Sequence, residues 1–184
     1  MPARRGFGAF AVRELFLMRH AEALTESPTG DDFGRPLSPR GQEGATRIGN
    51  AMARFGWLPQ RVLVSSAART RQTWDLLKPA IESPELDCSI EERLYSATAG
   101  RVLDMIRESA DAVNAVAIIG HNPSMHELAL RLASESSDPA AFNLLRQKFP
   151  PAGIVRLEFE GSWQTLNPFE ARLTHFLRPQ DIAE

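Results

Sequence analysis

The sequence predicts an α/β protein, a three-layer α/β/α sandwich built on a mostly parallel central sheet. Three observations carry that expectation. Glu14 to Met18, Arg61 to Val64 and Ala115 to Ile119 are short apolar runs rich in Val, Ile and Leu, too short for core helices and suited to strands buried on both faces. Helical patterns separate them, and such alternation places helices on both sides of a sheet. A length of 184 residues with 43% hydrophobic content is enough for one substantial core, so a single domain over 1–184 is expected.

Taken in order, Met1 to Val12 reads as an N-terminal tail, its apolar run too short and too broken by glycine for a secretory signal. After the first strand, Ser38 is placed as a helix N-cap with Pro39 in the first helical position, and Ala45, Ile48, Met52 and Phe55 recur at helical spacing. A second helix is predicted from about Ala67 to Lys78, stopped by Pro79, which lacks the amide donor that a helix interior uses. A third runs from about Ala99 to Ser109 and a fourth from Ser124 to about Ala133. Beyond Ser134 a polar stretch with Pro139 precedes a short helix. Ile154 to Phe159 and Ala171 to Phe176 follow as late strands, some antiparallel, with the turn-like Glu160-Gly161-Ser162 between them. Pro150-Pro151-Ala152-Gly153 is a loop and not a domain linker, and the chain from Arg178 is expected to be an exposed end.

With 21 basic and 23 acidic residues the formal charge is -2, which offers no global field toward nucleic acid or an anionic membrane. No apolar stretch approaches the ~18 residues of a spanning helix. Trp57, Trp74 and Trp163 are dispersed and read as core or groove residues, not as a platform for stacking bases. Cys88 is the one cysteine, with no partner for a disulfide or a zinc site, which fits a reducing, cytoplasmic setting.

In open α/β sheets ligands sit at the carboxyl ends of parallel strands, so the polar residues that follow the apolar runs matter most. They are Arg19-His20, Ser65-Ser66-Ala67-Ala68-Arg69 and Gly120-His121-Asn122. Two arginines and two histidines thus converge on one rim. Phosphate chemistry needs that set: guanidinium forks grip the non-bridging oxygens, and an unprotonated imidazole nitrogen attacks phosphorus. Buried arginines require acidic neighbours or an anionic ligand, and Glu22 is the one acid close to these motifs. A phosphoryl group supplies the charge, each charged hydrogen bond contributing about 1.5 to 3 kcal/mol. No carboxylate cluster suits magnesium and no paired-histidine helix suits zinc, so the expectation is chemistry with no metal and no cofactor.

Arg19-His20-Ala21 after a strand, Ser65 to Thr73 with Arg69 and Gln72-Thr73, and Gly120-His121-Asn122 after a strand together resemble the histidine phosphatase superfamily. Asp32-Phe33-Gly34-Arg35-Pro36-Leu37-Ser38-Pro39-Arg40-Gly41 resembles the compact branch named for the SixA phosphohistidine phosphatase. The similarity runs from about Glu14 to Pro179. It implies a phosphoglycerate mutase-like fold and a metal-independent phosphatase. His20 would be the nucleophile that becomes phosphorylated, and Arg19, Arg69 and His121 would bind and stabilise the phosphoryl group. His20 must then offer a lone pair, so its other ring nitrogen is expected to be held by a backbone carbonyl. Ala21 stands where the family usually has glycine, an exchange tolerated unless the position needs positive φ.

Many relatives carry a general acid after the middle strands, and here Glu92 and Glu91, just before Leu94-Tyr95, are the candidates. An alkoxide leaves poorly without a proton, whereas an imidazole protonated on its far nitrogen leaves as a neutral species. The substrate expected is therefore phosphohistidine in a protein, or a similar phosphoramidate. A small-molecule phosphomonoesterase and a phosphate-binding module without turnover stay open as alternatives. The partner is accordingly a phosphorylated protein or a small phosphorylated molecule, with the oligomeric state left open.

Other polar residues have plainer readings. His126 belongs to a helix face and His175 to a late strand. Ser65 and Ser66 lack the Gly-x-Ser-x-Gly elbow of a hydrolase nucleophile, and helix capping ahead of Arg69 suits them better. Arg35 either pairs with Asp32 to shape the loop over the pocket or reaches substrate, the first reading being favoured.

Overall fold

The computed structural model describes residues 11–183. The tail assigned to Met1 to Val12 lies outside the described residues up to residue 10, and Val12 itself opens the first strand.

Among the described residues the strands are β1 (Val12–Arg19), β2 (Arg61–Ser65), β3 (Asp87–Glu91), β4 (Ala115–Gly120), β5 (Ile154–Glu160) and β6 (Arg172–Leu177). They form one sheet in the order β3-β2-β4-β1-β5-β6. The first four run parallel, while β5 and β6 are antiparallel to their neighbours. The helices are α1 (Pro39–Phe55), α2 (Ala68–Ile81), α3 (Ala99–Arg107), α4 (Ser124–Leu132) and α5 (Pro139–Gln147).

Strand alternation builds three layers directly from the sequence. Phe16 and Met18, Val62 and Val64, and Ala117 and Ile119 point to one face, where they pack with Ala45, Ile48 and Met52 of α1 and Trp74, Leu77 and Ile81 of α2. Leu15 and Leu17, Leu63, and Val116 and Ile118 point to the other, against α3, α4 and α5 through Val102, Leu128 and Leu145. Trp57 and Trp74 belong to the first core and Trp163 to the second.

Two local features explain how α1 enters and packs. Ser38 caps it as expected, its hydroxyl accepting from the Gly41 amide at 3.0 Å. A Cβ at Gly41 would lie 2.0 Å from the Glu22 carbonyl oxygen, so the helix approaches the loop after β1 as closely as it does because that residue is glycine.

The structure corrects several sequence expectations. Pro79 does not stop α2 but sits inside its last turn, and the helix continues to Ile81, whose full burial secures the final turn. A proline this near the C-terminus forfeits a single ladder bond. Neither Ser65 nor Ser66 caps α2: Ala67 holds the N-cap position with no side-chain bond, and the Thr70 hydroxyl donates to the Ser65 and Ala67 carbonyls instead. β3 carries no apolar run that would mark it in the sequence, because as an edge strand it holds the polar Asp-Cys-Ser-Ile-Glu and leaves Ile90 exposed. The C-terminal segment is not merely an exposed end, since Pro179 approaches Gly44 and Ile182 packs against the first core. Among the described residues no helix is long and apolar enough to cross a membrane.

Candidate active site

The sheet order determines which strand ends meet. β4 lies between β1 and β2, and Arg19 is level with Gly120 in the β1–β4 register. Arg19-His20, Ser65 to Arg69 and His121 therefore leave the sheet side by side. The His20 amide donates to the Gly120 carbonyl at 3.0 Å, and the Ala152 amide donates to the His20 carbonyl at 3.0 Å, tying the turn after β1 to both flanks.

His20 and His121 are each 8% exposed, with ring centroids 5.4 Å apart. Nδ1 of His20 lies 2.7 Å from the Ala21 carbonyl oxygen. A carbonyl can only accept, so Nδ1 carries the proton and Nε2 the lone pair. Arg69 Nε donates to that Nε2 at 3.3 Å. Ala21 has a negative φ, its methyl is buried in the core, and its amide donates to Thr73 Oγ1 at 3.0 Å, so alanine fits the place of glycine without strain.

His121 is oriented by a partner from the neighbouring strand. Its Nε2 lies 2.7 Å from Ser65 Oγ, and its Nδ1 lies 3.4 Å from Arg69 Nη2. Because a guanidinium only donates, Nδ1 is the acceptor, and Nε2–H donates to the serine. Ser65 thus serves His121, a relation that the sequence does not announce.

Burial holds the His20 ring down to about 3, with His121, Arg69 and Arg19 adding repulsion against the outweighed pull of the Ala21 carbonyl. Burial and Arg69 hold His121 down to about 4. Both rings are therefore neutral at pH 7. Arg19 is also lowered, by burial and by repulsion from Arg69. Its Nη1 donates to the Phe149 carbonyl at 3.1 Å, while its Nε is buried with no partner among the described residues. Asn122 Nδ2 shares the same carbonyl at 2.9 Å. Open donors and two mutually repelling guanidinium groups suit an anion with several oxygens.

Arg69 is 6% exposed, and its counter-ion is Asp32. Nη1 donates to the Asp32 carbonyl at 2.8 Å and Nη2 to Asp32 Oδ2 at 3.0 Å. The Tyr95 hydroxyl donates to the same Oδ2 at 2.8 Å, and Arg35 Nη1 stands 3.3 Å from Oδ1. The Tyr95 bond first, then Arg69, holds the Asp32 carboxyl below its usual range, while Tyr95 is raised in return. Gln72 completes the loop by accepting the Leu37 amide at 2.8 Å.

Arg19, His20, Arg69 and His121 are brought together, and Arg35 reaches the group through its pair with Asp32. The carboxylates of the other acids named from the sequence are not bonded to this group. Glu22 accepts from Ser38 at 2.8 Å. Glu91 pairs with Arg93, and Glu92 is exposed on a one-turn 3₁₀ helix, its carboxylate without a hydrogen bond or ion pair among the described residues. His126 bonds to the Leu145 carbonyl, and His175 packs edge-on against Trp57, so both are structural. Sequence reasoning missed Tyr95 and the Asp32–Arg69 pair. The signal available was the Asp32-to-Arg35 spacing, but the partner lies 37 residues away. Among the described residues no three His, Cys, Asp or Glu side chains gather as a metal site.

Residues 15–115 match the model of the histidine phosphatase superfamily (branch 1), and the chain belongs to that superfamily. An uncharacterised protein of Mycobacterium tuberculosis is 37% identical over 171 residues, covering 89% of this chain and 100% of the relative. Within the superfamily the chain is of the SixA-like branch. A structure from Nakamurella multipartitia named for the phosphohistidine phosphatase SixA superposes with a TM-score of 0.79 at 29% identity, covering 94% of this chain and 99% of that one. Phosphoglycerate mutase from Plasmodium falciparum shares the fold, with a TM-score of 0.59 at 14% identity over 90% and 91% of the two chains. Family and fold together support a phosphatase.

Proposed function

We propose that the protein is a phosphatase that works through a phosphohistidine on His20, without a metal, and that its substrate is phosphohistidine in a protein or a similar phosphoramidate. The observation that carries the reading is the state of His20: neutral, with Nδ1–H fixed on the Ala21 carbonyl and the Nε2 lone pair facing Arg69. No base is needed to free such a nucleophile.

His20 Nε2 attacks phosphorus as the bond to the substrate nitrogen breaks, the electron pair leaving with that nitrogen. Phosphorylated His20 keeps its Nδ1 proton and becomes cationic, a charge that the Ala21 carbonyl stabilises. Arg19, Arg69 and His121 hold the three equatorial oxygens, and stabilisation of their charge is the main contribution to rate. Water then attacks phosphorus, the P–Nε2 bond returns its pair to His20, and the proton from water goes to phosphate and solvent.

The substrate class follows from the missing acid. The Glu91 carboxylate is engaged by Arg93 and Ser89, Glu92 is exposed to solvent, and Asp32 is held ionised, so an alkoxide would depart unassisted. An imidazole protonated on its far nitrogen needs no such help. Brief incubation with labelled phosphoramidate, followed by alkaline quench, is expected to leave acid-labile phosphate on His20, absent from His20→Ala. Phosphate binding with no trapped phosphoenzyme would favour a binding module, faster turnover of sugar phosphates would favour a phosphomonoesterase, and inhibition by chelator would overturn the metal-free route.

A further inference from the structure

We infer that the Asp32 carboxylate, besides pairing with Arg69, accepts the N–H of the departing imidazole and so selects substrates whose leaving group is positively charged. The inference rests on the phosphoramidate reading above and assigns the residue that recognises the leaving group.

Three observations support it. The first is position: the Arg69 guanidinium touches His20 Nε2 through Nε and Asp32 Oδ2 through Nη2, so the carboxylate stands one guanidinium beyond the attacking nitrogen. The second is capacity. Asp32 has a side chain 53% exposed, and its three partners, Arg35, Arg69 and Tyr95, use three of the roughly four lone-pair positions of a carboxylate. Oδ1, with Arg35 as its one partner, is left to accept another donor from the solvent side. The third is shape. Phe33, 42% exposed, meets Tyr95 edge-on with centroids 5.1 Å apart, and Tyr95 meets His121 edge-on at 5.7 Å. These rings form an aromatic wall beside the carboxylate, suited to a flat imidazole.

The chemistry is balanced without a proton transfer. In the reactive form the phosphorylated imidazole carries a proton on its far nitrogen. Attack by His20 forms the P–Nε2 bond and breaks the substrate P–N bond, whose electron pair neutralises the departing ring. The far N–H stays with the leaving group throughout, and Asp32 accepts a hydrogen bond from it. That bond stabilises the cationic substrate that reacts, in preference to the neutral form that does not. A carboxylate at the same place repels substrates whose leaving group is anionic, such as acidic sugar phosphates. Tyr95 and Arg69 keep the carboxyl ionised, as the role requires.

The test compares kcat/KM for N-phosphoimidazole and for p-nitrophenyl phosphate, whose leaving group bears no N–H and no positive charge, in the wild type and in Asp32→Asn. A purely structural Asp32 lowers both in parallel through Arg69. The expectation is that the ratio of the first to the second falls at least tenfold in the variant, and an unchanged ratio overturns the inference. The wild type alone tests the underlying reading. If it prefers p-nitrophenyl phosphate after correction for uncatalysed rates, the phosphoramidate reading fails and this inference with it; if it prefers phosphoimidazole and the ratio does not move, only the role of Asp32 fails. Should Asp32→Asn not fold, the wild type is compared on phosphoimidazole and its far-nitrogen methyl derivative, which keeps the charge and lacks the donor. The unmethylated compound is expected to show at least tenfold greater acceleration over its uncatalysed rate, and equal accelerations overturn the inference.

Discussion

Arg69 Nε donates to His20 Nε2 across 3.3 Å, so the lone pair proposed to attack phosphorus is occupied by the guanidinium that is proposed to hold the phosphoryl oxygens. That bond keeps the nucleophile in the required tautomer. When an anion enters, the same N–H groups exchange a neutral ring nitrogen for charged oxygens, a stronger interaction.

Arg69→Ala is therefore expected to lower kcat/KM by about 10²- to 10³-fold, the range for losing one preorganised charge-stabilising group. Arg69→Lys should recover only a small part, because a point charge cannot span His20, His121 and Asp32 as the fork does. Steady-state kinetics on p-nitrophenyl phosphate check both. The loss should exceed any change in stability, because Asp32 is half exposed and its charge is not stranded by the substitution.

Ser65→Ala removes the partner of His121 Nε2, 2.7 Å away in a fully buried position. An unsatisfied buried N–H costs about 1 to 3 kcal/mol. The ring should turn or lose its preferred tautomer, and kcat should fall about tenfold while the phosphoenzyme still forms on His20. Stopped-quench trapping alongside kcat separates this outcome from a loss of the nucleophile.

The two histidines also set a pH dependence. Their folded values of about 3 and about 4 lie below the unperturbed value near 6.5, so below pH 6.5 the unfolded chain takes up protons that the folded chain refuses. Their contribution to stability is complete above pH 6.5 and is lost as the pH falls toward 4 and then 3. The urea midpoint should thus be lower at pH 5 than at pH 7. Imidazole NMR signals of His20 and His121 should not titrate above about pH 5, and titration of either near 6.5 would contradict the burial argument.

Gly41→Ala tests the entry to α1. The added methyl would fall 2.0 Å from the Glu22 carbonyl oxygen, a backbone atom that cannot move aside alone. A destabilisation of about 1 to 3 kcal/mol is expected, as for overpacking in a rigid site, with activity reduced because the displaced loop carries His20 and Asp32. Thermal melts and kinetics measure the two effects.

Much of the fold was legible because its signals are local. Ser38 and Pro39 mark the start of α1, and the alternation of Leu15, Phe16, Leu17 and Met18 is that of a strand covered on both faces. β3 escaped notice because an edge strand needs no apolar run, and Pro79 misled because burial of Ile81 outweighs one missing backbone bond. Among the site residues, Arg19, His20, Arg69 and His121 each follow a recognisable strand end. Tyr95 follows a 3₁₀ turn with no such marker, and Glu92, equally near in sequence, points to solvent.

The sequence by itself determined the layered α/β architecture, the family and the four charged or titratable groups at the strand ends, because periodicity and short motifs are properties of neighbouring residues. Only the tertiary structure decided that β4 would lie between β1 and β2, that Ser65 would orient His121, and that Asp32 would serve Arg69 and Tyr95 as well as Arg35. Those relations join residues tens of positions apart. Distance, burial and available lone pairs select such partners, and these exist only once the sheet has been assembled.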